Sequence, residues 1–161
     1  MSPATHSIRL AAASTNIRVA AVLSTLLLFA NVACAPLIAG YNQVAYENAT
    51  YLKAESLLLM DEATQPYSQH AQQVDDLRVQ LAKAYEYARG IPDNDVAARQ
   101  WAILKDPKRD LLGGFLELWK RNGKLGETFV NEAKPLVAQA FDYIICLEVN
   151  KREATKCPEG G

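Results

Sequence analysis

Residues 19–34 form an uncharged, almost wholly apolar run that ends Asn31-Val32-Ala33-Cys34. This run constrains the chain before anything else does. So much apolar surface has to be buried in a core, placed in lipid or removed by processing. Arg9 and Arg18 precede the run, and no Asp or Glu occurs before Glu47. A positive start, a short apolar stretch and a small-residue end follow one another in the order of an export signal.

The cysteine sharpens that expectation. Val32-Ala33-Cys34 resembles a bacterial lipobox, where the signal is cut before a cysteine that then carries lipid. It departs from the pattern three residues before the cysteine, where Asn31 stands in place of the usual Leu. Three readings stay open, in this order. The first is a lipoprotein anchored at Cys34. The second is an uncleaved anchor over residues 19–40, which has the length of a span but is interrupted by Asn31 and Pro36. The third is simple secretion, with a cut after Ala33 or Ala35. A core helix of the mature fold comes last. The first reading divides the chain into a signal (1–33), a lipid-anchored connector (34–40), a helical domain (41–153) and a tail (154–161).

A cut before Cys34 takes 33 of the 161 residues and leaves 128, the size of one domain. It also takes Arg9 and Arg18, so 15 Lys and Arg then face 18 Asp and Glu. Neither sign dominates, and no nucleic-acid partner is expected, because that needs a concentrated basic face. With Cys34 lipidated, Cys146 and Cys157 remain as an even pair in an oxidising compartment and are expected to bridge. The alternative is one buried thiol and one free thiol in the tail.

The rest reads as an all-α chain: a small antiparallel bundle of four to five helices, with no alternating strand pattern and no repeat. Residues 41–63 place Tyr41, Ala45, Ala49, Leu52, Ser56, Leu59 and Ala63 on one face, which Val44, Tyr51 and Leu58 would widen. After Pro66 a second stripe runs through Tyr67, His70, Val74, Leu77, Leu81, Ala84 and Ala88, and Gly90 with Pro92 ends it. Asp93-Asn94-Asp95 offers N-cap oxygens to a short helix over 96–105. Residues 111–119 are apolar almost all round, which predicts burial on several sides. Gly113 and Gly114 inside them call for close backbone packing or a late helix start. The last helix spans 127 to about 152, with Phe129, Ala133, Leu136, Val137, Ala140, Ile144 and Leu147 as its buried stripe and a kink or late start expected at Pro135. Trp119 is expected to pack against this last helix.

Few residues here carry chemistry. No Cys-x-x-Cys-His, Glu-x-x-His, Gly-x-Ser-x-Gly or phosphate-loop pattern occurs, so no catalytic residues, no metal site, no cofactor and no small-molecule substrate are expected. One exception is a haem held between Met60 and His70 across the first hairpin, the only Met and His left after cleavage. The most unusual mature segment is the apolar run 111–119. Lys105, Lys108 and Arg109 precede it, and Lys120, Arg121 and Lys124 follow. Leu112, Phe115 and Trp119 are therefore candidate partner-binding residues, set behind the plainer reading that they are core.

Cys34-Ala-Pro-Leu-Ile-Ala-Gly-Tyr41, Ala54-Glu-Ser-Leu-Leu-Leu-Met-Asp61 and Leu111-Leu-Gly-Gly-Phe-Leu116 make the chain similar to small, uncharacterised bacterial lipoproteins with a helical domain. That resemblance implies location and fold, and it carries no activity. The expectation is a non-enzymatic lipoprotein on the periplasmic face of a membrane, the outer one placed ahead of the inner. It would be tethered through its lipid and act by binding an envelope protein or as a structural accessory. The alternatives are a pilotin-like adaptor for a secretion or surface assembly, and a small haem or ligand carrier. Replacing Cys34 with Ser should release the protein from membranes or leave the precursor uncut. A mature protein whose Cys34 is unmodified by mass spectrometry would remove the anchor.

Overall fold

The computed structural model describes residues 39–151 together with 156 and 157. Cys34 and the expected export segment lie outside the described residues. What is described is all-α: five helices and, among the described residues, no strand. None of these helices is long and apolar enough to cross a membrane.

Helix α1 spans Gln43–Asp61. Asn42 caps it, its side-chain oxygen accepting from the Ala45 amide at 3.0 Å, which starts the helix two residues later than the apolar pattern implied. A 3-10 turn (Glu62–Thr64) and Pro66 lead into α2, Tyr67–Gly90. The two helices are antiparallel: the Gln80 amide donates to Glu55 at 3.1 Å, and Tyr87 hydroxyl donates to Asn42 at 3.1 Å. Val74, Leu77, Leu81, Ala84 and Ala88 are buried, as the second stripe required.

The first stripe is narrower than expected. Ala45, Ala49, Leu52, Ser56, Leu59 and Ala63 are buried, but Tyr41, Val44, Tyr51 and Leu58 stand in solvent. Successive helical residues point about 100° apart, so a face centred on Leu52 and Ser56 cannot also bury Tyr51 and Leu58.

Helix α3 (Asp95–Lys105) buries Trp101 and Leu104. Trp101 meets Phe141 edge-on, with ring centroids 5.9 Å apart. The expected side-chain cap at its start is absent, because Asn94 is spent elsewhere, as described below. Helix α4 (Leu112–Asn122) buries Leu112, Gly113, Phe115, Leu116 and Trp119. Both glycines answer to close packing. A Cβ on Gly113 would sit 2.3 Å from the Lys105 carbonyl oxygen, and one on Gly114 would sit 1.9 Å from that of Arg109. Gly123 ends α4 with φ +77°, a conformation that L side chains rarely adopt.

Helix α5 (Glu127–Val149) runs without interruption through Pro135. Proline lacks the N–H that would bond the Asn131 carbonyl, and both residues are exposed, so water can satisfy that group. Its core stripe is Val130, Val137, Phe141, Ile144, Leu147 and Glu148. This corrects the expected phase. Val137, Ile144 and Leu147 are buried, Ala133 and Ala140 are half-buried, and Phe129 and Leu136 are exposed. Ion pairs Lys53–Asp142 and Lys134–Asp61 lay α5 antiparallel along α1.

Trp119 fastens one end of the bundle. Its ring meets Tyr67 edge-on at 5.6 Å and His70 at 5.5 Å, both on α2, and its indole N–H donates to the Gln65 carbonyl at 3.1 Å. The partner helix of that ring is thus α2, where the sequence had suggested the last helix. Two turns meet beneath it: Tyr67 N–H donates to Gly123 C=O at 2.6 Å, and Leu125 N–H to Ala63 C=O at 2.8 Å.

Phe115 is only 4% exposed and belongs to the same core. Truncating a buried aromatic side chain removes transfer energy and leaves a cavity, so Phe115→Ala should cost about 3–5 kcal/mol. That is a large part of the about 5–15 kcal/mol that holds such a domain folded. Thermal or urea unfolding of the variant measures it, and a wild-type melting curve would place Phe115 outside the core.

Candidate functional site

The basic-flanked apolar segment contains two surfaces with different fates. Leu112, Phe115 and Trp119 are 0%, 4% and 0% exposed, so they build the core and offer a partner little to grip. The other side of α4 does the opposite. Leu111 and Leu118 are half-buried there, and they face the outer side of α5 across a cleft of about 390 Å³. Clefts that hold ligands or anchor side chains begin at about this size.

The floor of the cleft is aromatic. Phe115 and Phe129 stack nearly parallel, with ring planes 9° apart and centroids 6.0 Å apart. Phe129 and Leu136 form the far edge, 42% and 54% exposed, with Ala133 as the low point between them. A spacing of seven residues puts Phe129 and Leu136 two turns apart on one helix face. Lys108, Arg109 and Asp110 close one end of the cleft and Arg121 also lines it. Glu117 on the wall is tied to Arg78 of α2 at 3.1 Å.

Phe129 and Leu136 were assigned to the buried stripe by sequence, so the cleft was missed. One signal was available. Helix α5 carries two apolar pairs at the same spacing, Phe129/Leu136 and Val130/Val137, and a helix packed on one side can bury only one of them.

A second polar feature lies at the far end of α5. Cys146 and Cys157 are bridged, with Cα atoms 5.7 Å apart. Closing so short a loop is worth about 3 kcal/mol in the chain-entropy account. Within that loop Glu148 is wholly buried and Lys151 nearly so. The Lys151 ammonium lies 2.9 Å from Glu148 Oε2 and is the cation paired with this buried carboxylate. Lys151 also donates to Asn94 Oδ1, and the Asn94 amide donates to the Ala88 carbonyl at 2.9 Å. The cap residue of α3 is thereby used to hold the end of α2 and the end of α5 together. This cluster is enclosed and serves the fold.

The remaining candidates are placed as follows. Met60 is fully buried within the core. His70 stacks on Trp119, and its Nδ1 is 2.7 Å from Gln73 Oε1. A Met60–His70 haem would have to displace both arrangements. No group of three or more His, Cys, Asp or Glu among the described residues could hold a metal ion. Lipidation at Cys34 lies outside the described residues.

No protein-family model, no curated protein and no solved structure matches the chain. The fold of the described residues therefore defines the class: a small bundle of five helices, the last of which leads into the Cys146–Cys157 disulfide.

Burial raises the Glu148 carboxyl above its ordinary value of 4.5, while Lys151 draws it back only in part. A carboxyl raised in the folded state binds protons more tightly there than in the unfolded chain. Its contribution is therefore most favourable below 4.5 and is lost as pH rises through the raised value. Glu148→Gln should flatten the stability-versus-pH curve in the window just above 4.5. Urea midpoints for both proteins across that window test this, and an unchanged slope would overturn it.

Proposed function

We propose that this chain is a non-enzymatic envelope protein, tethered to a membrane through lipid on Cys34, that works by binding. Its binding place is the cleft between α4 and α5, and the occupant is an apolar segment of a partner protein. The observation that carries this reading is the exposure of Phe129 and Leu136 beside the Phe115 floor. Phe129 and Leu136 leave about half of their surface in water on the rim of a preformed cleft, an apolar area that a partner would cover. Two anchor positions one heptad apart suit an amphipathic helix laid along the cleft, which engages through residues three, four and seven apart. Such an adaptor resembles a pilotin in its manner of working. The export segment and the lipobox-like Cys34 support a place on the periplasmic face, with the outer membrane ahead of the inner.

The test uses the full-length protein in its own envelope. A photo-reactive residue at Leu136 should give one discrete adduct with a partner, and a probe at Val79, exposed on α2, should not. Adding Phe129→Asp should abolish that adduct. Phe129→Asp also gives up the stack on Phe115, so circular dichroism of the variant should show its helices still folded at the labelling temperature. Equal adducts at Leu136 and Val79, or none at either, would sink the reading.

A further inference from the structure

The side chains of α1, and of Tyr41 just before it, that fail to enter the core are not scattered. Tyr41, Val44, Tyr51 and Leu58 are 60%, 47%, 59% and 69% exposed. Val44, Tyr51 and Leu58 are seven residues apart, and Tyr41 leads Val44 by three. With Asn48 and Glu55 between them, the five helical positions from Val44 to Leu58 alternate by four and three. That is the spacing of a coiled-coil seam. Within the helix, from Val44 to Leu58, the seam runs for about 21 Å at 1.5 Å per residue, and Tyr41 sits just before the Asn42 cap. It lies on a different side of α1 from the buried Ala45, Ala49, Leu52 and Ser56, so the helix carries two apolar faces and its own domain covers one.

From this we infer that the outer face of α1 pairs with the same face of a second copy of the chain. A lipid surface fits it poorly. Glu47 and Glu55 flank the stripe, and an anionic leaflet would repel both. A second copy suits the polar members of the seam. In a parallel pair Asn48 faces Asn48, and a side-chain amide both donates and accepts, so it is its own partner. One buried asparagine at such a position fixes register and favours two strands. Glu55 would repel its counterpart, but the Gln80 amide holds its carboxylate towards α2 at 3.1 Å.

Direction follows from the tether, and in this respect the inference rests on the lipid anchor proposed above. Cys34 stands seven residues before Tyr41, a reach of at most about 25 Å when extended. Parallel helices place both N-termini at the membrane end of the pair, whereas antiparallel helices have to lie flat on the surface. Four half-exposed side chains supply less than the about 800 Å² per partner of a standard soluble interface. Confinement of both copies to one membrane raises their effective concentration, so a smaller interface suffices.

Cross-linking in membranes from cells making the full chain tests this. Tyr51→Cys and Leu58→Cys, introduced singly, should each give a covalent dimer on mild oxidation, and Val79→Cys should not. Cross-linking at Val44→Cys should be lost when Tyr51→Asp and Leu58→Asp are added. Dimer yields no higher than that of Val79→Cys at every α1 position would overturn the pairing. A dimer formed only between Val44→Cys and Leu58→Cys chains would overturn its parallel direction. Membrane fractionation of the same cells reports the anchor separately. Cross-links at Tyr51 in protein that washes off membranes would end the tether and leave the pairing standing.

Discussion

Two glycines set the position of everything around α4. At Gly113 and Gly114 the helix rests against the backbone carbonyls of Lys105 and Arg109, at a distance where any side chain would collide. That contact folds the α3–α4 connection back on the start of α4, and it lets α4 sink until Leu112, Leu116 and Trp119 lose all contact with water. Trp119 can then reach Tyr67, His70 and the Gln65 carbonyl. The cleft depends on the same contact, since residues 107–111 form one of its walls. Each glycine costs a helix about 1 kcal/mol against alanine, a sum that the burial of one aromatic side chain outweighs.

The parts of the fold legible in sequence were those where one physical signal acted alone. In α2 the apolar positions recur without a break, proline precedes them and glycine ends them, and the structure follows closely. The same held for one side of residues 111–119, where Leu112, Phe115, Leu116 and Trp119 are buried; Leu111 and Leu118 on the other side stay half-buried along the cleft. The ends of the helices were less legible because side chains had more than one possible partner. Asn94 is a good cap by type, but Lys151 and the Ala88 carbonyl claim its side chain. Lys151 stands 57 residues further along the chain, so nothing near Asn94 announces that competitor.

The candidate site was the least legible, for a geometric reason. In α1 and in α5 apolar residues outnumber what one buried face can hold. Periodicity reports that such residues share faces, but it does not say which face meets the core. Tyr51 and Leu58, or Phe129 and Leu136, satisfy the helical spacing as well as their buried neighbours do. The choice is made by packing against distant core residues, such as Phe141 against Trp101, and the exposed ion pairs Lys53–Asp142 and Lys134–Asp61 only accompany it. A surplus of apolar residues in a helix is thus a signal in itself: some of them must stay in solvent, and the spacing does not say which.

The two turns that meet beneath Trp119 have a consequence for how the domain breathes. Tyr67 and Leu125 lie at the edges of turns, where amides ordinarily exchange with solvent almost freely. Here each amide is bonded across to the other turn, to Gly123 and Ala63, under the cover of an indole ring. Neither hydrogen bond can open unless α1–α2 and α4–α5 separate. In deuterium exchange these two turn amides would report opening of the bundle as a unit, with protection close to that of the helix interiors. Turns, in this protein, keep time with the core.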